Sequence, residues 1–136
     1  MAGVHFTFED LKQLLRLNIG IADRLDENRA ESFTVLYCDF SSQKDDRVAN
    51  ALEKILRTSD TIANNNSDYF FVLPYTDKYG AEIVKKLFDD FFGNFINSFL
   101  VSYPADGENA EELIAVLQNS VKHFCKKDLD YLDTLK

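Results

Sequence analysis

An arginine and an aspartate three residues apart, Arg57 and Asp60, form the pair in this sequence best suited to bind a polar ligand. A guanidinium group donates parallel hydrogen bonds and binds a phosphate or the O6 and N7 edge of guanine. A carboxylate one helical turn away can accept hydrogen bonds from the N1–H and the amino group of the same base. The alternative interpretation is structural: Arg57 complements the C-terminal end of a helix, and Asp60 begins the turn into the next strand.

Two further carboxylates are candidates: Asp39 lies at the end of a predicted strand, and Asp68 lies in a predicted hairpin. One interpretation is a residual site for a cation or a nucleotide. The other is that Asp39 is an acid at a strand end and that Asp68 hydrogen-bonds its own turn, as Asx residues commonly do. Because Mg²⁺ is held by several hard oxygen ligands, two carboxylates alone make a poor site. We therefore predict no metal site.

The remaining reactive side chains predict neither a catalytic site nor a cofactor. His5 and His123 lack the spacing of metal ligands, and Cys38 and Cys125 are too far apart for a zinc ribbon and are expected to be inert thiols. The sequence contains no Ser-His-Asp order and no glycine-rich phosphate loop. Lys126 and Lys127 are interpreted as a charge pair at the end of a helix.

Length and charge limit the class of protein. The 136 residues are about one domain, and 46% of them are hydrophobic, which is typical of a globular chain. Fifteen basic residues against 23 acidic ones give a net charge of −8, which disfavours binding to nucleic acid or to anionic membranes. No signal peptide and no apolar run of about 18 residues is visible, so we expect a soluble cytoplasmic domain.

Residues 7–29 are predicted to form one long N-terminal helix, capped by Thr7. One face carries a short heptad stripe, which consists of Leu11, Leu14, Asn18, Ile21 and Leu25. An asparagine pair inside such a seam can set the register of a parallel dimer, so the stripe predicts self-association. The alternative is that the same stripe packs on the chain's own sheet.

The rest of the chain alternates strands with helices. The apolar segment 33–40 predicts a strand that is buried on both faces. Further strands are predicted at residues 61–63, 69–73 and 95–102. Three further helices are predicted: one whose start is marked by Ser42 and Asp45, one at 77–92 that ends at Gly93, and one from Asn109 onward. Residues 128–136 are charged and are expected to fray. The order predicts an α/β fold with a single mixed or antiparallel sheet and helices packed on it, in βαββαβα order after the N-terminal helix.

At this level of detail the chain resembles the GGDEF family of diguanylate cyclase domains, in degenerate form. Residues 48–74 follow the central block of that family in order and nearly in spacing, and residues 76–81 and 102–107 match frequent features of it. The five-residue signature position is occupied by Asn66, Ser67, Asp68, Tyr69 and Phe70. The resemblance implies a nucleotide-cyclase or palm-like fold for residues 32–127, preceded by a helix over residues 1–31 and followed by a tail at 128–136.

The departures from the family pattern concern catalysis. The two signature glycines are replaced by Asn66 and Ser67, whose side chains fill the space next to the backbone. Tyr69 replaces the glutamate that serves the metal and the chemistry, and a neutral phenol cannot replace a carboxylate on Mg²⁺. The segment that follows Asp39 is shorter than the family's, so guanine-binding residues are also missing. We therefore predict that the chain is not a diguanylate cyclase.

The resemblance implies a regulatory domain in bacterial signalling that acts by protein–protein interaction. The protein partner is unidentified, and one option is a second copy of the chain. The alternative is a receptor for cyclic di-GMP, because Arg57 and Asp60 match the RxxD motif at which active family members bind that nucleotide.

Overall fold

The computed structural model describes residues 3–25 and 29–135, and its centre is a mixed five-stranded sheet. The strands are β1 (Val4–Phe6), β2 (Glu31–Asp39), β3 (Thr61–Asn65), β4 (Asp68–Pro74) and β5 (Ser98–Pro104). Their spatial order is β1-β3-β4-β2-β5. β1 pairs with β3 in parallel, and the other pairs are antiparallel. The predicted fold class, with one mixed sheet, is confirmed.

Helices cover both faces of the sheet. They are α1 (Leu11–Arg24), α2 (Asp45–Ile55), α3 (Lys78–Phe92) and α4 (Ala110–Ser120). α1 and α4 pack on one face, and α2 and α3 pack on the other. The order after α1 is βαββαβα, as predicted. Among the described residues, no helix has the length and apolar character needed to cross a bilayer.

β2 lies between β4 and β5, and residues 33–38 along it are buried. Successive side chains of a strand point to opposite faces, so β2 supplies both cores. Phe33, Val35 and Tyr37 contact the side of α1 and α4, whereas Leu36 and Cys38 contact the side of α2 and α3. The continuous apolar segment therefore has the predicted two-sided burial.

The predicted helix over residues 7–29 is wrong at its N-terminal end. Val4–Phe6 forms a strand, Phe8–Asp10 forms a 3₁₀ turn, and α1 begins only at Leu11. The amide of Val4 donates to the carbonyl of Asp60 at 2.9 Å, so the edge of β3 captures this segment. α1 ends at Arg24, and the predicted helical residues 26–28 lie outside the described residues.

Two of the helix ends predicted from capping residues are confirmed, and one predicted helix start is wrong. Asn109 caps α4, since its side chain accepts from the amide of Glu112 at 2.8 Å, and Gly93 ends α3 with a left-handed φ of 76°. α2, however, has Lys44 as its N-cap residue, so the predicted start at Ser42 is wrong. The strand predicted at 95–102 lies at Ser98–Pro104, and Phe95 is 74% exposed.

The C-terminal segment is packed rather than frayed, up to Leu135. Residues 130–135 form a 3₁₀ helix, and three leucines spaced three apart, Leu129, Leu132 and Leu135, are buried in the core with α1 and α4. Burial of these leucines outweighs the charge of the neighbouring residues. As a result, the chain before and within this helix passes the ends of β2 and β4.

Candidate functional site

The ends of β2 and β4 bring the two candidate carboxylates together. Asp39 and Asp68 are register partners at the same edge of the sheet, where β2 ends and β4 begins. Asn66 holds the turn before Asp68 and has a left-handed φ of 52°. Its backbone carbonyl accepts a hydrogen bond from the side-chain amide of Asn64 at 2.9 Å. Asparagine tolerates this conformation, so the hairpin predicted from the asparagine run is present.

The ammonium of Lys127 binds these carboxylates. It hydrogen-bonds Asp68 Oδ1 and lies 3.4 Å from Asp39 Oδ1. Asp68 is 6% exposed and also accepts from two phenols: Tyr37 donates to Oδ1 at 2.7 Å, and Tyr131 donates to Oδ2 at 2.6 Å. Both oxygens of Asp68 are therefore hydrogen-bonded within the chain.

The electrostatics of this cluster favour a charged lysine and neutral phenols. Burial lowers the pKa of Lys127, but hydrogen bonding to Asp68 and the charges of Asp68 and Asp39 outweigh it, so the pKa rises. For Asp39, burial raises the pKa, but hydrogen bonds from Ser41 and the charge of Lys127 lower it overall. Burial and the hydrogen bonds to Asp68 raise the pKa of both Tyr37 and Tyr131. At neutral pH an ammonium thus neutralises carboxylate charge at this edge.

These residues do not fit a divalent cation. Lys127 already supplies the positive charge, and the oxygens of Asp68 are used by three donors. The fourth signature position offers Tyr69, which packs on the ring of Phe40 with centroids 5.2 Å apart and whose pKa is raised by burial. Within residues 3–25 and 29–135, no group of three or more His, Cys, Asp or Glu is arranged to hold a metal.

The signature hairpin also lacks the means to hold a triphosphate. Phe70 is fully buried and packs on Phe8 and Tyr37, and the carbonyl of Ser67 accepts from the amide of Phe40 at 2.9 Å. A shallow cavity of about 360 Å³ lies beside the turn. Its described lining contains no basic side chain, and its charged member is Asp45. Phosphate groups have no cation to bind there.

Arg57 and Asp60 bind each other in a tight turn. The amide of Arg57 donates to Asp60 Oδ2 at 2.8 Å, and its Nη2 donates to Asp60 Oδ1 at 2.9 Å. The same Nη2 lies 3.0 Å from both the carbonyl of Pro74 and the hydroxyl of Thr76. Asp60 is 1% exposed, so in this conformation its carboxylate serves the turn and does not face solvent.

Arg57 itself reaches the surface. Its side chain is 55% exposed and lines a cavity of about 320 Å³ at the N-terminal end of α3. Arg29 and Tyr75 line the same cavity. Two guanidinium groups and one aromatic ring are a suitable set for an anionic aromatic ligand. Asp77 also lines the cavity, and its carboxylate accepts from the backbone amide of Gly80 at 2.8 Å.

The heptad stripe of α1 is divided between core and surface. Leu11, Leu14 and Asn18 are buried. The side-chain amide nitrogen of Asn18 donates to the backbone carbonyl of Leu14 at 2.9 Å, within the same helix. Ile21 and Leu25 are exposed by 41% and 46%. The first three positions cannot contact a partner unless the domain opens, whereas the last two can.

Sequence reasoning missed the role of Lys127 and Tyr131. The two lysines after α4 were interpreted as a helix-end pair, and Lys126 does adopt a left-handed φ of 58° there. The leucines at positions 129, 132 and 135 were the available signal, because their spacing predicts a buried segment that must carry its neighbours along the sheet edge. The bond to Asp68 spans 59 residues and has no local signature.

No protein-family model matches this chain, and no curated protein matches it. Among solved structures, it is similar to the S helix-GGDEF-EAL portion of LapD from Vibrio cholerae, bound to c-di-GMP, with 12% sequence identity and a TM-score of 0.48. The match covers 83% of this chain and 33% of that chain, so the chain spans about a third of its length.

Proposed function

We propose that this chain is a catalytically inactive GGDEF-like regulatory domain of bacterial signalling that acts through protein–protein contact. The observation that carries the first part is the Lys127 ammonium on Asp68 and Asp39. In a cyclase of this family the corresponding carboxylates would have to bind a cation. Here the cation is part of the chain, so the charge stabilisation that phosphoryl transfer needs is missing.

The test of inactivity is incubation of the pure protein with GTP and Mg²⁺ or Mn²⁺, followed by chromatography of the nucleotides. We expect no cyclic di-GMP from the wild type. Tyr69→Glu is the matched variant, because it restores the carboxylate while Lys127 remains bound, and it should also be inactive. Cyclic di-GMP that forms with the wild type and disappears with Asp68→Asn would contradict the proposal.

The surface that supports protein contact is an exposed apolar stripe on α3. Tyr79, Ile83 and Leu87 are spaced four apart and are 77%, 47% and 45% exposed. Residues at this spacing lie along one face of a helix. Large apolar side chains that share an exposed helix face are typical of interaction sites.

A second copy of the chain is the partner that this stripe fits best. Across a two-fold axis at Ile83, Tyr79 of one copy meets Leu87 of the other, so the stripe is complementary to itself. Glu82 and Lys86 are exposed on one flank. In the antiparallel pair, Glu82 of one copy lies within a helical turn of Lys86 of the other, which adds two ion pairs.

Light scattering during gel filtration at high micromolar concentration tests this contact. We expect a dimer that Ile83→Glu converts to a monomer, with a dissociation constant at least tenfold weaker. Ile21→Glu is the matched control, since Ile21 is also an isoleucine on a helix and is 41% exposed. Loss of the dimer with Ile21→Glu alone would assign self-association to α1, as the heptad stripe predicts, and a monomeric wild type would contradict both surfaces.

The second candidate function is a receptor for cyclic di-GMP. It is favoured by Arg57 and Arg29 lining one cavity with Tyr75. Isothermal titration of cyclic di-GMP tests it: Arg57→Ala should weaken binding at least tenfold, because a charge-assisted hydrogen bond contributes about 1.5–3 kcal/mol. Arg57→Lys should not restore binding, because an ammonium lacks the planar fork.

The matched control for this titration is Arg16→Ala, since Arg16 is a half-exposed arginine on α1 that pairs with Glu111 at 2.8 Å, outside the lining of this cavity. Equal binding by the wild type and Arg57→Ala would contradict the receptor function. No heat with up to about a millimolar of ligand would do the same.

A further inference from the structure

A second cavity lies between the C-terminal half of α1 and the sheet. Its volume is about 270 Å³, and it is open to solvent on one side. The lining from α1 and the residue after it is apolar apart from the side-chain amide of Asn18. It consists of Leu17, Asn18, Ile21, Ala22 and Leu25. The facing residues, from the start of β2 and β3 and the end of β4, are Ser32, Phe33, Ser59, Thr61, Pro74 and Tyr75.

The lining predicts the charge of an occupant. Its described residues include no Asp, Glu, Lys, Arg or His, so a charged ligand would lose its hydration without gaining a counterion from them. The net charge of −8 makes the surroundings still less favourable for an anion. A neutral and predominantly apolar molecule is the class that such a cavity accepts.

Asn18 supplies the polar feature of this cavity. It is 8% exposed, and its side-chain nitrogen is fixed by the bond to the carbonyl of Leu14. The described residues give its Oδ1 no hydrogen bond, so this acceptor is available to water or to a ligand in the cavity. The hydroxyl oxygen of Thr61, on the facing strand β3, is buried from solvent and has no hydrogen-bond partner within the described part of the chain.

We propose that this cavity binds a neutral, predominantly apolar small molecule that carries one hydrogen-bond donor, which Asn18 Oδ1 accepts. The apolar side chains supply affinity by burying the body of the ligand, and the amide orients its polar end. The site is separate from the Lys127 cluster and from the α3 stripe, so it does not depend on the proposed function.

The probe for the test is N-phenyl-1-naphthylamine, which is neutral, largely apolar and has a single N–H donor. Its fluorescence increases when it leaves water, so a titration into the wild type should saturate with one probe per chain. Ala22→Phe fills the cavity and should weaken binding at least tenfold. Asn18→Leu keeps the volume but removes the acceptor, and should weaken binding about three- to tenfold.

Phe95→Ala is the matched control, because Phe95 is 74% exposed, lies outside the lining of this cavity, and its loss should leave probe binding unchanged. A measurement on the wild type keeps the test independent of variant folding: the side-chain amide resonances of Asn18 and the methyl resonance of Ala22 should shift as the probe binds. Saturable binding without those shifts would overturn the proposal, as would the absence of saturable binding. The last outcome concerns a second copy of the chain as the occupant. If the wild type were a dimer that did not bind the probe, and the Ile21→Glu variant were a monomer that did, a second copy would fill the cavity. That result also overturns the proposal.

Discussion

Replacement of Lys127 by methionine tests the energetic role of the ammonium at the sheet edge. The substitution keeps most of the apolar stem but leaves Asp68, which is 6% exposed, and Asp39 without their counterion. Removing one partner of a fully buried ion pair costs about 3–5 kcal/mol. The Lys127 side chain is 32% exposed, so water partly replaces it, and we expect the free energy of unfolding to fall by about 2–3 kcal/mol.

Urea denaturation followed by circular dichroism measures this change. Lys122→Met is the matched control: its ammonium lies 3.9 Å from Asp128, and both side chains are largely exposed, so the loss should be below about 0.5 kcal/mol. Asp68→Asn combined with Lys127→Met should recover part of that stability, because the uncompensated charge on Asp68 disappears. The amide oxygen still accepts from one phenol, and the amide nitrogen can donate to the oxygen of the other. The reasoning is refuted if Lys127→Met changes stability no more than Lys122→Met does.

Two other predictions concern the same region. Because the folded-state pKa values of Lys127 and Tyr131 are raised, their contribution to stability is complete below the unfolded values near pH 10 and is lost as the pH rises above them. The melting temperature should therefore fall as the pH rises above about 10, and less steeply in Tyr131→Phe. Equal slopes for the two proteins would contradict that assignment. Leu132→Ala should cost about 2–4 kcal/mol in urea because Leu132 is fully buried, whereas Leu17→Ala, at 59% exposure, should cost little; similar losses would show that the C-terminal segment does not support the core.

Much of the fold follows from local patterns in the sequence. The apolar segment 33–40 predicted a two-sided strand, and residues 33–38 of it are buried. Asn109 and Gly93 marked helix ends, because capping depends on residues three positions apart or on one left-handed residue. Strand β1 was missed because three residues are too few for an alternation to be seen. Its pairing with β3 is a contact across 57 residues that no local pattern contains.

The candidate site was predictable only in part. The signature positions showed that Tyr69 cannot serve a metal, and Asn66 correctly indicated a hairpin turn. That Asp68 binds Lys127 could not be predicted, because it depends on how residues 127–135 pack after α4. The division of the α1 stripe likewise depends on where the sheet ends beneath the helix, which leaves Ile21 and Leu25 exposed.

A titration of the wild type with Mn²⁺, followed by nuclear magnetic resonance, tests the central claim most directly. A paramagnetic ion bound between Asp39 and Asp68 would broaden the amide resonances of both residues and of Tyr69. With Lys127 in place, we predict no broadening of these three resonances beyond that of exposed acidic residues, up to millimolar Mn²⁺. Selective, saturable broadening at Asp39 and Asp68 in the wild type would contradict the account, because it would mean that a divalent cation displaces the Lys127 ammonium.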